Sequence, residues 1–141
     1  MTPKQYLSQY QRAYRTILFV RRELERAEHD AAGIRAIIYS DMPKSHNVEH
    51  DLSDAMVRIE ELAAKYKAVV TEHTNIMAEV AAVILKVDDK TQREVLWLRY
   101  IEGMDFEAIP DMIHYSERQM YSYYGQGLEA VRRILEAEGL Q

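Results

Sequence analysis

The feature that most constrains the fold is a heptad repeat of apolar residues in the middle of the chain. Its two columns comprise Leu52, Ile59, Tyr66, His73, Val80 and Val87 in one, and Ala55, Leu62, Val69, Ile76 and Val83 in the other. This spacing places both columns on one side of a single α-helix. About 36 residues at 1.5 Å per residue make a helix roughly 54 Å long. Asp51 is its predicted N-cap.

A second apolar stripe precedes this helix, between Lys4 and Ile38. Its members are separated by steps of three, four and seven and are Leu7, Tyr10, Tyr14, Ile17, Leu24, Ala31, Ile34 and Ile38. Such steps predict a second long helix. The residues from Tyr39 to His50 break the pattern and contain Pro43, so they are predicted to form a loop. Two long helices joined by a short loop predict an antiparallel hairpin over residues 1–87.

A third apolar column widens the seam of the long helix on one side. It consists of Met56, Ala63, Val70, Met77 and Ile84. One antiparallel helix covers only part of so wide a surface, which predicts a homo-oligomer, dimer or higher, assembled through the hairpin. The residues expected to carry oligomerisation are Leu52, Ile59, Leu62, Tyr66, Val69, Ile76 and Val80. The alternative is that both stripes form the core of a compact bundle within one chain.

Three shorter helices are predicted in residues 88–141, at about Gln92–Ile101, Phe106–Ile113 and Glu117–Glu136. Thr91 with Glu94, and Ser116 with Gln119, have the spacing of capping boxes at two helix starts. Gly103 and the pair His114–Tyr115 mark the turns. No segment has the alternation of a strand, so the predicted fold class is all-α.

The last two predicted helices have the pattern of a DNA-reading helix-turn-helix, in which a short turn precedes an amphipathic second helix. Its buried face is predicted to be Ile109, Ile113, Met120, Tyr124 and Leu128. The outward N-terminal end of the second helix is the part that meets base edges in the major groove. The candidate DNA-binding residues are Ser116, Glu117, Arg118, Gln119, Tyr121, Ser122 and Tyr123. Two alternatives remain open: that Gln119 serves only in capping, and that the tyrosines between 115 and 124 serve in packing.

Residues 98–135, LRYIEGMDFEAIPDMIHYSERQMYSYYGQGLEAVRRIL, resemble sigma factor region 4. The whole chain, including its opening Met-Thr-Pro-Lys-Gln-Tyr-Leu, resembles the ArpU/RinA-type regulators of late genes in phages and prophages of Gram-positive bacteria. In those proteins a helical N-terminal part precedes such a module. The resemblance implies a transcription regulator that binds double-stranded DNA, acts at promoters as a sigma-like factor or activator, and works with the host bacterial RNA polymerase.

Three departures from the region 4 pattern carry structural expectations. Pro110 stands where alanine is usual, and its missing amide predicts a short or bent helix. His114 stands where glycine is usual, which predicts a left-handed backbone with a modest penalty. Tyr121, Tyr123 and Gln126 stand where lysine or arginine is frequent. Arg118 is then the sole cation expected to face the bases.

The charge is distributed unevenly along the chain. Residues 1–87 hold 12 basic and 12 acidic side chains, whereas residues 88–141 hold 6 basic and 11 acidic ones, a net charge of −5. Since phosphate neutralisation supplies most non-specific DNA affinity, a single module is expected to bind DNA weakly. A rival interpretation is that the acidic module docks on RNA polymerase or another factor without reading bases. A further alternative is a small terminase-like DNA-packaging protein, although in those the DNA-binding part usually comes first.

Several function classes lack their residues in this sequence. There is no cysteine, Gly-rich phosphate loop or Ser/His/Asp arrangement, so neither an enzyme nor a cofactor is expected. His46 and His50, followed by Asp51, form a pair in a loop without further ligands, and no metal site is expected there. His73 is expected to be a polar core or interface residue. No apolar leader and no run of about 18 apolar residues is evident, which predicts a cytoplasmic protein without membrane contact.

Overall fold

The computed structural model describes residues 1–40, 43 and 47–140, and every regular element in these residues is helical. Two long helices, α1 (Pro3–Ile38) and α2 (Val48–Leu85), come first. Helix α3 (Lys90–Leu96) continues directly into a π-helical turn (Trp97–Ile101). Two further helices follow, α4 (Ile109–Ile113) and α5 (Glu117–Glu138). The all-α class is confirmed for the described residues.

Two compact units make up the chain, and their boundary differs from the division expected between residues 87 and 88. The central unit is Arg15–His73, and the terminal unit joins Met1–Tyr14 to Thr74–Gln141. The start of α1 and the end of α2 therefore belong with the three C-terminal helices. The physical reason is burial, because Leu7, Val80 and Ile84 lie in the same hydrophobic core as those helices.

The terminal unit has a core to which all five helices contribute. Its largest fully buried side chains come from α1 to α5 in turn and include Leu7, Ile84, Leu96, Ile109, Met120 and Leu135. A polar contact adds to this packing, since Gln11 Nε2 donates to the carbonyl oxygens of Tyr100 at 3.2 Å and Ile101 at 2.9 Å. Carbonyls at a helix end have no helical donor, so this side chain satisfies two of them.

Within the central unit, α1 and α2 run antiparallel. Lys65 Nζ lies 3.6 Å from a Glu23 carboxylate oxygen, and Arg35 Nη2 donates to Met56 Sδ at 3.0 Å. Residue numbers thus rise along α1 while they fall along α2. The buried side chains in the described part of this unit are few, namely Val20, Ala27, Ala31 and Leu62.

Two predicted helix starts are corrected by the structure. Helix α2 begins at Val48, so Asp51 lies within its first turn instead of capping it. Helix α3 is capped by Asp89, whose Oδ1 accepts from the Gln92 amide at 2.9 Å, and the expected box of Thr91 with Glu94 is wrong. Asp89 has the extended backbone that an N-cap requires, whereas Thr91 is already inside the helix.

Helix α2 is also long and apolar enough, by length and composition, to cross a membrane. Core helices of soluble proteins meet the same two criteria. Only 17% of its most apolar 18-residue stretch is buried in the described chain.

Candidate nucleic-acid interface

The first helix of the candidate interface is short, with a proline at its start and a left-handed residue at its end. Pro110 lies in the first turn of α4, where an amide has no helical acceptor, and the helix ends after five residues. His114 then takes a left-handed backbone at φ 61° and ψ 40°, and its amide donates to the Pro110 carbonyl. Both the short helix and the left-handed turn residue are confirmed.

The second helix starts with the capping box expected from the sequence. Ser116 has an extended backbone, its Oγ accepts from the Gln119 amide at 3.1 Å, and its own amide donates to Gln119 Oε1 at 3.1 Å. Two amides without helical partners are satisfied in this way. Gln119 Oε1 is therefore occupied, and only its Nε2 remains to donate outward.

The inward face of α4 and α5 agrees with the prediction. Ile109, Ile113, Met120 and Tyr124 are buried, and Leu128 is half-buried. This face fixes the rotation of α5, so that Arg118 and Ser122, which lie about 160–200° round the helix from Met120, point outward.

A buried tyrosine pair holds this core together. The hydroxyls of Tyr100 and Tyr124 are 2.7 Å apart, and burial together with this hydrogen bond raises the pKa of Tyr100 above its ordinary value. Phe106 packs edge-to-face against Tyr124, with 4.9 Å between the two ring centroids. Tyr124 is therefore a packing residue, as its register predicted.

Most of the candidate DNA-binding residues lie on the surface. Exposed are Ser116, Glu117, Arg118, Gln119, Tyr121 and Ser122. The ring centroids of Tyr121 and Phe106 are 5.4 Å apart, and Tyr121 remains 44% exposed.

Tyr123 is less exposed than the other candidate DNA-binding residues. It is half-buried, its ring lies 5.2 Å from that of Tyr115, and a hydrogen bond to Tyr115 raises the pKa of its phenol. Tyr115 lies in the turn before α5, and this turn places its ring against Tyr123 of the helix. Tyr123 therefore packs against the turn before α5.

Two arginines near α3 are held by the rest of the terminal unit. Arg93 Nη1 donates to the Val87 carbonyl at 2.7 Å. Arg99 Nη1 donates to the Met104 carbonyl at 3.1 Å, and its guanidinium lies 4.2 Å from the Phe106 ring centroid. These guanidinium groups stabilise the fold, which limits what they contribute to phosphate binding.

Two more arginines form ion pairs along α5. Arg132 pairs with both Glu129 and Glu136, and Arg133 lies 3.7 Å from Glu129. Among the described residues of 88–141, the Lys and Arg side chains that make no hydrogen bond, ion pair or ring contact are those of Lys90 and Arg118. Arg118 is thus the cation that the outer face of α5 presents at its N-terminal end.

A groove on the other side of α3 was not expected from the sequence. Its volume is about 400 Å³, and it is lined by Leu85, Lys90, Arg93, Glu94, Trp97, Leu98 and Glu102. Leu85 is 60% exposed and Trp97 is half-buried. The one signal for it in the sequence is Trp97, the sole tryptophan, whose orientation depends on the π-helical turn that begins there.

The residues expected to carry oligomerisation fall into two groups. Leu62 and Val80 are buried in their own chain, 6% and 1% exposed, so a second copy does not reach them and their assignment is corrected. The remaining five are half-buried and comprise Leu52, Ile59, Tyr66, Val69 and Ile76.

The histidines do not assemble a metal site in the described chain. His46 lies outside the described residues, and His50 Nε2 lies 3.4 Å from an Asp54 carboxylate oxygen. His73 is half-buried, with Nδ1 3.0 Å from the Val69 carbonyl oxygen. No group of three potential ligands occurs among the residues that the structure describes.

No protein-family model, curated protein or solved structure matches this chain. Its function is therefore inferred from the residues and geometry of the interface.

Proposed function

We propose that this protein is a non-enzymatic, cytoplasmic transcription regulator that binds specific double-stranded DNA through α4 and α5. In this proposal the pair is a helix-turn-helix of the sigma region 4 type, and the protein acts on phage or prophage late genes. The observation that carries the proposal is the exposed start of α5, where Arg118, Tyr121 and Ser122 share one face opposite the buried Met120 and Tyr124.

The geometry of α5 suits a groove-reading helix. It has 22 residues, and the capping box holds its first turn in place. The major groove of B-DNA is about 12 Å wide and admits one α-helix, whose N-terminal side chains then reach base edges. Gly125 follows Ser122 toward the C-terminus on the exposed side of α5, and the space where its Cβ would lie is open. A flat surface of this kind lets a DNA backbone approach closely.

The charges of the interface support specific rather than non-specific binding. With one free cation on the outer face of α5, few phosphates are neutralised, and affinity is expected to depend weakly on salt. Arg118 is suited to a bidentate contact with guanine O6 and N7, while Tyr121 offers an aromatic edge to a thymine methyl. A second copy doubles these contacts, and RNA polymerase can add its own.

A second candidate function is docking on RNA polymerase or another protein without base readout. It is favoured by the groove that contains Trp97, whose lining combines the apolar Leu85, Trp97 and Leu98 with charged side chains. Four of the six cations in residues 88–141 are already engaged within the chain. This leaves the acidic surface of the module to meet a basic partner.

The experiment that separates these functions is sequencing of DNA fragments selected by the purified protein, with and without bacterial RNA polymerase. A motif enriched by the protein alone supports direct readout. A motif that emerges only with polymerase and survives Arg118→Ala supports docking. No enrichment in either condition contradicts the proposed function.

Arg118→Ala is expected to lower specific DNA affinity by roughly 1–3 kcal/mol, because a bidentate base contact is lost. The measurement is fluorescence anisotropy on a selected fragment and on a scrambled one. Arg133→Ala is the matched control, since Arg133 is an exposed arginine at the far end of the same helix. Equal losses for both variants on both fragments would show non-specific attraction and count against base readout.

A further inference from the structure

The central unit has too little core to be complete as a single chain. Of its described residues, four side chains are buried, and two of them are alanines. Ordering each residue costs about 1–2 kcal/mol of backbone entropy, which buried apolar surface must offset. Two helices in one layer bury few side chains. A second layer of helices would cover the apolar side chains that one layer leaves exposed to solvent.

One exposed stripe of α2 has the composition needed for that second layer. It runs through Met56, Glu60, Ala63, Lys67 and Val70, which are separated alternately by four and three residues and therefore share one side of the helix. Met56 and Val70 are half-buried, while Ala63 is exposed. The stripe is about 21 Å long at 1.5 Å per residue.

The order of these residues is self-complementary. Ala63 stands at the centre, an apolar residue lies seven positions away on each side, and a charged residue lies between. When two copies of the stripe are placed antiparallel with Ala63 on the two-fold axis, Met56 of each copy meets Val70 of the other. Glu60 then lies opposite Lys67, once on each side of the axis.

The charged residues of the stripe are available for such pairing. Glu60 and Lys67 are exposed, and neither side chain has an ion-pair or hydrogen-bond partner among the described residues. Seven positions apart on one helix, they lie too far from each other to pair within the chain. Ala63 between them is small enough for two helices to approach closely.

We propose that a second copy of this chain docks antiparallel on the Met56–Val70 stripe. Two central units then pack as two layers of two helices each. The dimer rests on the proposed function in one respect, because it is what supplies a second α5 to the DNA. The stripe replaces the seam of Leu62 and Val80 as the oligomerisation surface, since those two side chains are buried within their own chain.

The central test compares Ala63→Glu with Ala64→Glu, measured by light scattering at micromolar concentration without DNA. Both alanines are exposed in one chain, but Ala64 lies about 100° further round the helix and off the stripe. Wild type and Ala64→Glu are expected at twice 16.5 kDa, and Ala63→Glu at 16.5 kDa, because two carboxylates would meet on the axis. Circular dichroism verifies that the variants remain helical.

A charge exchange keeps the proposal testable if Ala63→Glu fails to fold. Lys67→Glu is expected to weaken the dimer at least tenfold, since Glu60 would then face a carboxylate. The double variant Glu60→Lys with Lys67→Glu is expected to restore it.

Three results would overturn the dimer. They are a monomeric wild type, equal dissociation of the Ala63 and Ala64 variants, and a stripe that binds phosphatidylglycerol vesicles in place of a second copy. The two proposals can fail separately. If the dimer passes these tests but Arg118→Ala leaves DNA selection unchanged, the dimer interface stands and only the proposed function is contradicted.

Discussion

One apolar column of α2, which contains both Ala63 and Ile84, differs in burial between the two units. In the terminal unit Ile84 is completely buried, whereas in the central unit Ala63, three heptads earlier, is exposed to solvent. Both residues satisfy the same helical periodicity. The apolar seam determines which side of the helix must be buried. The number of neighbouring helices determines whether a single chain buries it.

The terminal unit surrounds its core with five helical segments, and the central unit has two. A side chain packed on all sides loses both its transfer free energy and its packing when truncated, whereas a side chain in a single layer loses less. Trp97, the sole tryptophan, lies in the terminal unit, so its fluorescence reports on that unit. The two units can therefore be followed separately in one protein.

The largest expected effect comes from removing a buried leucine in each unit. Leu96→Ala is expected to destabilise the terminal unit by about 2–5 kcal/mol, and Leu62→Ala the central unit by about 2 kcal/mol or less. Leu96 is 0% exposed and Leu62 is 6% exposed, so the two differ mainly in how many elements surround them. Urea unfolding followed by Trp97 fluorescence and by circular dichroism measures both. If Leu62→Ala shifts the Trp97 transition as far as Leu96→Ala does, the units unfold as one and the comparison fails.

A smaller effect is expected from the buried tyrosine pair, for which the described central unit has no counterpart. Tyr124→Phe leaves the Tyr100 hydroxyl buried without its partner and is expected to cost about 1–3 kcal/mol in the Trp97 transition. Changing both tyrosines to phenylalanine is expected to cost less than the sum of the single changes. Tyr121→Phe is the control and is expected to stay within about 0.5 kcal/mol. A double variant as costly as the sum would show that the hydroxyls act independently.

The smallest expected effects have opposite signs in the two units. Gly33→Ala in α1 places a Cβ in open space and is expected to stabilise the central unit by about 0.5–1 kcal/mol through helix propensity. Gly127→Ala in α5 places a Cβ 3.1 Å from Leu96 Cδ1 and is expected to destabilise the terminal unit by about 1 kcal/mol. Thermal unfolding of the two variants provides the measurement. Stabilisation by both would mean that the terminal core is looser than its burial indicates.

Local chemistry explains which parts of the interface could be predicted. The capping box of Ser116 with Gln119 and the left-handed His114 depend on residues within three positions of each other, so the sequence contains all that they need. The pairing of Arg132 with Glu129 and Glu136 also follows from spacings of three and four along one helix. The cap of α3 was predicted at Thr91 rather than Asp89, because both residue types can cap and the choice depends on where the backbone becomes extended.

The remaining features of the interface depend on contacts between elements. Arg99 lies over Phe106 only because the loop after the π-helical turn returns to it, and Tyr123 meets Tyr115 only because the turn before α5 folds back. Of these two residues, Tyr123 is a candidate DNA-binding residue on sequence grounds and Arg99 is not. Tertiary contacts thus reduced the free cations and aromatic rings that the sequence offers.

The sequence by itself determined the all-helical class, the two long helices, and the inward face of α4 and α5, since each follows from periodicity along one segment. The tertiary structure alone decided that the ends of α1 and α2 share a core with the C-terminal helices, and which apolar column remains uncovered. Periodicity specifies a direction around a helix axis, and it is the same for every heptad. Burial depends on which other segments lie in that direction, and this is a property of the whole fold.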